Sequence, residues 1–387
     1  MAQKKEGRLL AFFKRTAAYF KRNKPFTITL LLLIAAVIFL GVEVYQDVQG
    51  EIKEQLNVYD NATKVEFQDK NFEAEIRKVL KKESGNLYDT DLETIGKLVI
   101  QNVNIERVDE LKYFTGLRYL EISSADIVDL TPLASLEDLT TLILSNNRIE
   151  DVTPLAGCEA LQKLDVSGNS IMDISPLYGL DKLIELNVSN NSIGSVSTDI
   201  QKLTNLKILN LSRNRITDNS VFSGMSGLNI LYLTTNKISE VQPLSGMDSL
   251  TEYSLEGNSI QKIETLGRLP ALEKLSVGAN CLTDIDFAPQ YPWLLELTIS
   301  QNDITSIEPL RGNTDLQVLK MQSTKIQDLT PLEDLKDFHS IYLDNHIDRD
   351  KIRFMKKENG WQFRNGDTLT KQYILNDKYG FSGEDAQ

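Results

Sequence analysis

LTTLILSNNRI (139–149) and, one unit later, LQKLDVSGNSI (161–171) share the pattern L-x-x-L-x-L-x-x-N-x-I, with Val166 standing in for the third leucine of the second copy. The leucine-type position that opens each unit recurs along most of the chain. It falls at Ile95, Leu117, Leu139, Leu161, Leu183, Leu206, Leu228, Leu250, Leu272, Leu294, Leu316 and Phe338. Every step is 22 residues except Leu183 to Leu206, which is 23. Self-similarity at a fixed short period marks an array in which each unit buries its apolar face against its neighbours. Within a unit, Leu142 and Leu144 lie two residues apart, so a short strand carries both inward on one pleat face.

The asparagine that follows the strand has a structural reading. An amide turned into the core can donate to and accept from the turn backbone of neighbouring coils, and leaving it unpaired would cost about 1–3 kcal/mol. The expected ladder is Asn147, Asn169, Asn191, Asn214, Asn236, Asn258, Asn280 and Asn302. It lapses at the ends, where Val103, Ala125 and Thr324 take the slot. The return half of the unit also repeats, as in DLTPLASL (129–136), DVTPLAGC (151–158), DISPLYGL (173–180) and DLTPLEDL (328–335). Proline fixes its own φ and pushes the preceding residue out of helical geometry, which predicts tight turns and short 3₁₀ pieces on the convex side.

The 22-residue unit with its Asp-x-Ser/Thr-Pro-Leu return resembles the internalin family of Gram-positive surface proteins over residues 65–347. The resemblance implies a leucine-rich-repeat solenoid: a curved α/β-type array with a mostly parallel concave sheet, a convex side of turns and 3₁₀ pieces, and a helical N-terminal cap. VEFQDKNFEAEIRKVLKKESGNLYDTDL (65–92) is similar to that cap. Its own pattern agrees, since Phe72, Ile76, Val79 and Leu80 make one apolar helix face. Thr90 with Glu93 reads as a capping box for a second short helix. The resemblance further implies binding of a protein, while the Leu-Pro-x-Thr-Gly sorting motif of that family is not in this sequence.

The formal net charge is −13, unevenly spread. Residues 1–25 hold eight basic residues against Glu6, a charge of +7, and the rest carries −20. An acidic body excludes nucleic acid as the main partner, because phosphate contacts need clustered lysine and arginine. FTITLLLLIAAVIFLGV (26–42) is uncharged and follows the basic head, while Glu43, Asp47 and Glu51 come after it. This predicts one transmembrane helix, a single-pass plasma-membrane protein with a cytoplasmic N-terminus and an extracellular repeat domain. A cleaved signal peptide is the alternative, but the apolar run leads into GVEVYQ rather than a small-x-small site.

The expected organisation is a basic cytoplasmic segment (1–25), a signal anchor (26–44), a helical stalk (45–64), a helical N-terminal cap (65–94), about twelve repeats (95–347) and a C-terminal cap and tail (348–387). Tyr45, Val48, Ile52, Leu56 and Tyr59 line one face of the stalk, a surface for weak homodimerisation. Cys158 and Cys281 lie about 27 Å apart at roughly 4.8 Å per stacked strand, too far for a disulfide. DNHIDRD (344–350) lacks the glycine of a calcium loop, and Met355 stands where that loop wants glutamate. With His339 and His346 the only histidines, no metal site is expected, and no cofactor.

Third, fifth and seventh residues of each unit pave the concave face. The candidate partner-binding residues are Tyr119, the apolar Ile208, Ile230 and Tyr232, the acidic Glu252, Glu256 and Glu296, and Lys274 between them. Apolar clusters ringed by polar groups mark protein contacts, and tyrosine is a favoured anchor. No catalytic constellation occurs: there is no Gly-x-Ser-x-Gly, no phosphate-binding glycine loop and no His-Glu-x-x-His. The sequence therefore points to a non-enzymatic, membrane-anchored module that holds an envelope protein. An adhesin that binds a host or neighbouring-cell receptor is the alternative.

Overall fold

Twelve period-two segments become twelve stacked strands because each carries its leucines to the same side. The computed structural model describes residues 62–335, 337–338 and 340–343, and the backbone of 362–365 and 373–376. The basic segment, the expected anchor (26–44), almost all of the stalk, and the 344–350 stretch lie outside the described residues. Among the described residues no helix is long and apolar enough to cross a membrane.

A fourteen-stranded sheet forms the concave face. Its parallel strands begin with β3 (Lys97–Gln101), β4 (Tyr119–Ser123), β5 (Thr141–Ile143), β6 (Lys163–Asp165), β7 (Glu185–Asn187) and β8 (Ile208–Asn210). They continue with β9 (Ile230–Tyr232), β10 (Glu252–Ser254), β11 (Lys274–Ser276), β12 (Glu296–Thr298), β13 (Val318–Lys320) and β14 (Ser340–Leu343). Two strands, β15 (Gln362–Asn365) and β16 (Tyr373–Asn376), then run antiparallel, with β16 against β14. Register follows the repeat without slip: Lys163 pairs with Glu185, and Glu185 with Ile208 across the longer step. The extra residue lies in the return arm, because Ile193 keeps its bond to the next asparagine at a separation of 21 where Ile171 has 20.

Behind the sheet the leucine positions form one continuous core, with Leu142, Leu164, Leu186 and Leu209 all at 0 % exposure. Fully burying such a side chain stabilises by roughly 1.5–3 kcal/mol. The eight asparagines sew the coils together. Asn214 Oδ1 accepts from the Ile193 amide at 3.0 Å, and its Nδ2 donates to the carbonyls of Val188 and Leu211, each at 3.0 Å. Asn147, Asn169, Asn191, Asn236, Asn258, Asn280 and Asn302 repeat this set, each reaching back to the preceding coil. The residue just before each ladder position turns left-handed, as Asn146, Arg213 and Thr235 do at φ of 57°, 56° and 56°. That turn was not legible in the sequence, since glycine holds it only at Gly168 and Gly257.

On the convex side the Asp-x-Thr/Ser-Pro segments make 3₁₀ turns, such as Thr131–Leu133, Thr153–Gly157 and Ser175–Gly179. Asp129, Asp151 and Asp173 each accept from the backbone amide two residues on at 2.8 Å, while proline presets φ in the first turn. The pattern changes in the middle of the array. Tyr253 takes a leucine slot at 0 % exposure, and its hydroxyl accepts from Asn219 Nδ2 at 3.3 Å. Asn219, also buried, exchanges two hydrogen bonds with the Gln242 backbone. Tyr291 does the equivalent one arm later, accepting from the Leu266 amide and donating to the Gly267 carbonyl.

At the N-terminal end, β1 (Lys64–Val65) pairs with β2 (Leu87–Tyr88) around helix α1 (Lys70–Leu80). Asp69 caps α1 through Asn71 and Phe72 and also accepts from Glu106 in the first coil. Phe72 stacks on Phe114 with ring centroids 6.2 Å apart. Two details differ from the sequence reading. Val79 is 45 % exposed, because the buried face of α1 runs through Phe72, Ile76 and Leu80 and leaves Val79 at its edge. The second helix, α2 (Asp89–Leu92), starts after Tyr88, whose extended backbone ends β2; Asp91, not Glu93, accepts from the N-cap amide. Thr90 Oγ1 is left buried without a partner.

Three outcomes follow for the folded chain. Cys158 is buried and its thiol is pushed up to about 11 by that burial, while Cys281 is exposed. One thiol per chain is therefore expected to react with a dithiobis-nitrobenzoate reagent in the native state and two after denaturation. Asn214→Ala removes the acceptor of the Ile193 amide and the donor to two buried carbonyls, and should cost roughly 2–3 kcal/mol in urea unfolding. Ser212→Ala, on the solvent side of the same coil, should stay within about 0.5 kcal/mol.

Burial also raises the phenol pKa of Tyr253, Tyr291 and Tyr178 above the ordinary 10.0. The fold then holds these protons more tightly than the unfolded chain does. Their contribution is complete below about pH 10 and is lost as pH rises through the folded values. Urea midpoints measured from neutral to strongly alkaline pH should fall above about pH 10, and less steeply in Tyr253→Phe.

Candidate functional site

The parallel register fixes which concave side chains are neighbours. Ile208 on β8 pairs with Ile230 on β9, and Ile230 pairs with Glu252 on β10. Lys274 and Glu296 continue the same row on β11 and β12. In the next row, Asn210 pairs with Tyr232 and Tyr232 with Ser254. The structure thus brings Ile208, Ile230, Tyr232 and Glu252 into one patch, half-buried on the sheet. Tyr119, on β4, stands apart, roughly 19 Å away at about 4.8 Å per strand.

Hydrogen bonds hold the patch in one arrangement. Tyr232 Oη donates to Glu252 Oε1 at 2.8 Å. Its pKa is pushed up to about 12, first by burial and then by the bond and charge of Glu252. The phenol therefore remains a donor at any physiological pH. Ser276 Oγ donates to Glu256 Oε2 at 2.9 Å. The Tyr253–Asn219–Gln242 network lies directly behind, so the strand that carries Glu252 has a fixed backing.

The acidic residues are not equivalent. Glu296 is bridged by Lys320 at 2.5 Å, so its charge is already answered. On the other flank, Glu185 is bridged by Lys163 at 2.8 Å. Among the described residues, the Glu252 and Glu256 carboxylates are bonded by hydroxyls and by no cation. Lys274 is exposed and, among the described residues, its ammonium is in no ion pair. At the isolated Tyr119, the hydroxyl donates to Glu121 Oε2 at 2.8 Å and Lys97 Nζ lies 4.3 Å from the ring centroid.

Two contributors went unmarked in the sequence: Lys163 and Lys320 act through charges whose partners only register reveals. The asparagine ladder, behind the face, supplies no group to it.

The leucine-rich-repeat family description, "Leucine Rich repeats (2 copies)", matches residues 137–179, 159–203, 181–218 and 204–246. An internalin (inlF) from Listeria monocytogenes is 30 % identical, with 72 % of this chain and 83 % of that one covered and a TM-score of 0.66. The chain belongs to the internalin-like leucine-rich-repeat proteins. A second Listeria monocytogenes structure, internalin C2, is 22 % identical over 72 % of this chain and 94 % of that one, with a TM-score of 0.39. The plant peptide hormone receptor RGFR1 in complex with RGF2 is 18 % identical over 67 % of this chain and 49 % of that one, with a TM-score of 0.52. No curated protein matches the chain. For an internalin-like array, the ordered strand residues rather than an enclosed pocket are the part that varies from coil to coil, which is the construction of a protein-interaction module.

Proposed function

We propose that this chain is a non-enzymatic, membrane-anchored binding module of a Gram-positive cell, which displays its concave face outside the plasma membrane and holds a protein of the envelope. The patch of Ile208, Ile230 and Tyr232 carries this reading, since it puts three largely apolar side chains together, half-buried, on adjacent strands of the concave face. The uncharged 26–42 run behind a +7 head supports the anchor and its orientation. With α1 as the N-terminal cap, the repeats stand as a rigid arc. A solenoid of about twelve coils spans roughly 58 Å, and a stalk of about 20 residues adds at most about 70 Å. That reach suits a partner near the membrane. The adhesin reading is favoured by one observation, the identity with a Listeria internalin.

A photocrosslinker placed at position 232 of the full chain, in producing cells, should yield an adduct with a resident envelope protein, identified by mass spectrometry. Changing Ile208, Ile230 and Tyr232 to charged residues should abolish capture and leave the circular dichroism spectrum unchanged. Capture unaffected by the triple change would sink the assignment of the patch. An adduct formed only after host cells are added would transfer the reading to an adhesin.

A further inference from the structure

We infer that the concave centre is built for a basic partner segment: an aliphatic or aromatic side chain seated on Ile208 and Ile230, with one lysine or arginine beside it that reaches Glu252 and Glu256. The inference rests on the concave face being the binding surface, and it gives that surface a direction. On the N-terminal side of the apolar pair, Glu185 is already neutralised by Lys163. On the C-terminal side, Glu252 and Glu256 each accept from a hydroxyl and, among the described residues, are in no ion pair. A cation arriving there meets carboxylates that no lysine or arginine of the described residues bridges.

Spacing makes the two halves reachable at once. Ile208 lies two strands from Glu252, about 10 Å at roughly 4.8 Å per strand. A lysine or arginine within two or three residues of the apolar anchor covers that distance with its own side chain. Tyr232 links the halves, since its ring lies beside the apolar pair and its hydroxyl orients Glu252. Lys274 closes the far side. It pairs in register with Glu252 and, among the described residues, is in no ion pair, so it repels a second cation one strand further on. The body charge of −20 over residues 26–387 acts the same way at longer range, drawing in basic segments and raising their encounter rate.

The test is a selection of random dodecapeptides displayed on phage against the full chain in detergent micelles. Enriched peptides should carry lysine or arginine within three residues of a leucine, isoleucine, phenylalanine or tryptophan. Glu252→Gln and Glu256→Gln should each weaken capture of the enriched peptides about tenfold, and raised salt should weaken it further. Lys274→Ala should strengthen capture, an effect that a generic contact residue would not show. All three side chains face solvent, so circular dichroism of each variant should match the parent. Neutral or acidic enriched peptides, capture indifferent to the glutamine variants, or weaker capture by Lys274→Ala would overturn the inference. If the position-232 crosslinker still captures a protein through an acidic or neutral segment, the binding face stands and only the basic partner falls.

Discussion

Everything in this array depends on one asparagine amide per coil reaching back to the coil before it. A strand of three residues cannot hold a solenoid together by its own ladder, and leucine contacts have no direction. The amide has both reach and direction. Its oxygen takes the amide proton of the preceding coil's turn, and its nitrogen gives to that coil's last strand carbonyl and to its own. Successive asparagines share these carbonyls, as Asn147 and Asn169 share that of Leu144, so each turn must bring the groups to the same place. The period of 22 residues is the chain length that satisfies this, and the one longer unit shows the rule. Its extra residue was absorbed in the return arm while the asparagine kept its register.

With stacking fixed from behind, the concave face is released from structural duty. Each strand residue there has one neighbour on either side at a distance set by the sheet, and its identity is free to vary. Charge pairs then form across coils far apart in sequence, as Lys163 with Glu185 and Lys320 with Glu296 do. Exposed pairs of this kind contribute little to stability, roughly 0–1 kcal/mol each. Their consequence is selective: they answer some charges within the fold, while Glu252, Glu256 and Lys274 are in no ion pair among the described residues.

The fold was legible because its signals recur. A leucine, an asparagine and a proline-leucine repeated in phase fix strand, turn and return, and the resulting solenoid is the observed one. What was not legible occurs once. Asn219 sits where other coils bury an apolar residue, and its sense emerges only with Tyr253, 34 positions on. The left-handed turn before each ladder asparagine is a backbone requirement that Asn146, Arg213, Thr235 and Ala279 all meet, so no residue type announces it. Val79 shares the apolar stripe of Phe72, Ile76 and Leu80 yet falls at its edge, and sequence spacing alone does not say how wide a face the first coil covers. For the concave face the sequence supplied the rows; the pairing within them required the register.

The position of the apolar pair is itself informative. Ile230 lies on β9, next to β10, and Ile208 one strand further on; the buried Tyr253 of β10 ties the sheet to the convex arm through Asn219 and Gln242. Among the described strands, β10 is the one whose core-facing tyrosine hydroxyl makes such a link. A leucine at position 253 would fill the core as well, and it would need no buried amide. The tyrosine and asparagine together replace two apolar side chains by a hydrogen-bonded brace, which resists sliding of strand against arm in a way that leucine contacts do not. A surface whose apolar anchors must meet a partner in one geometry gains from such a brace, because less ordering remains to be done on binding. The brace and the patch occupy the same coils, on opposite sides of one strand.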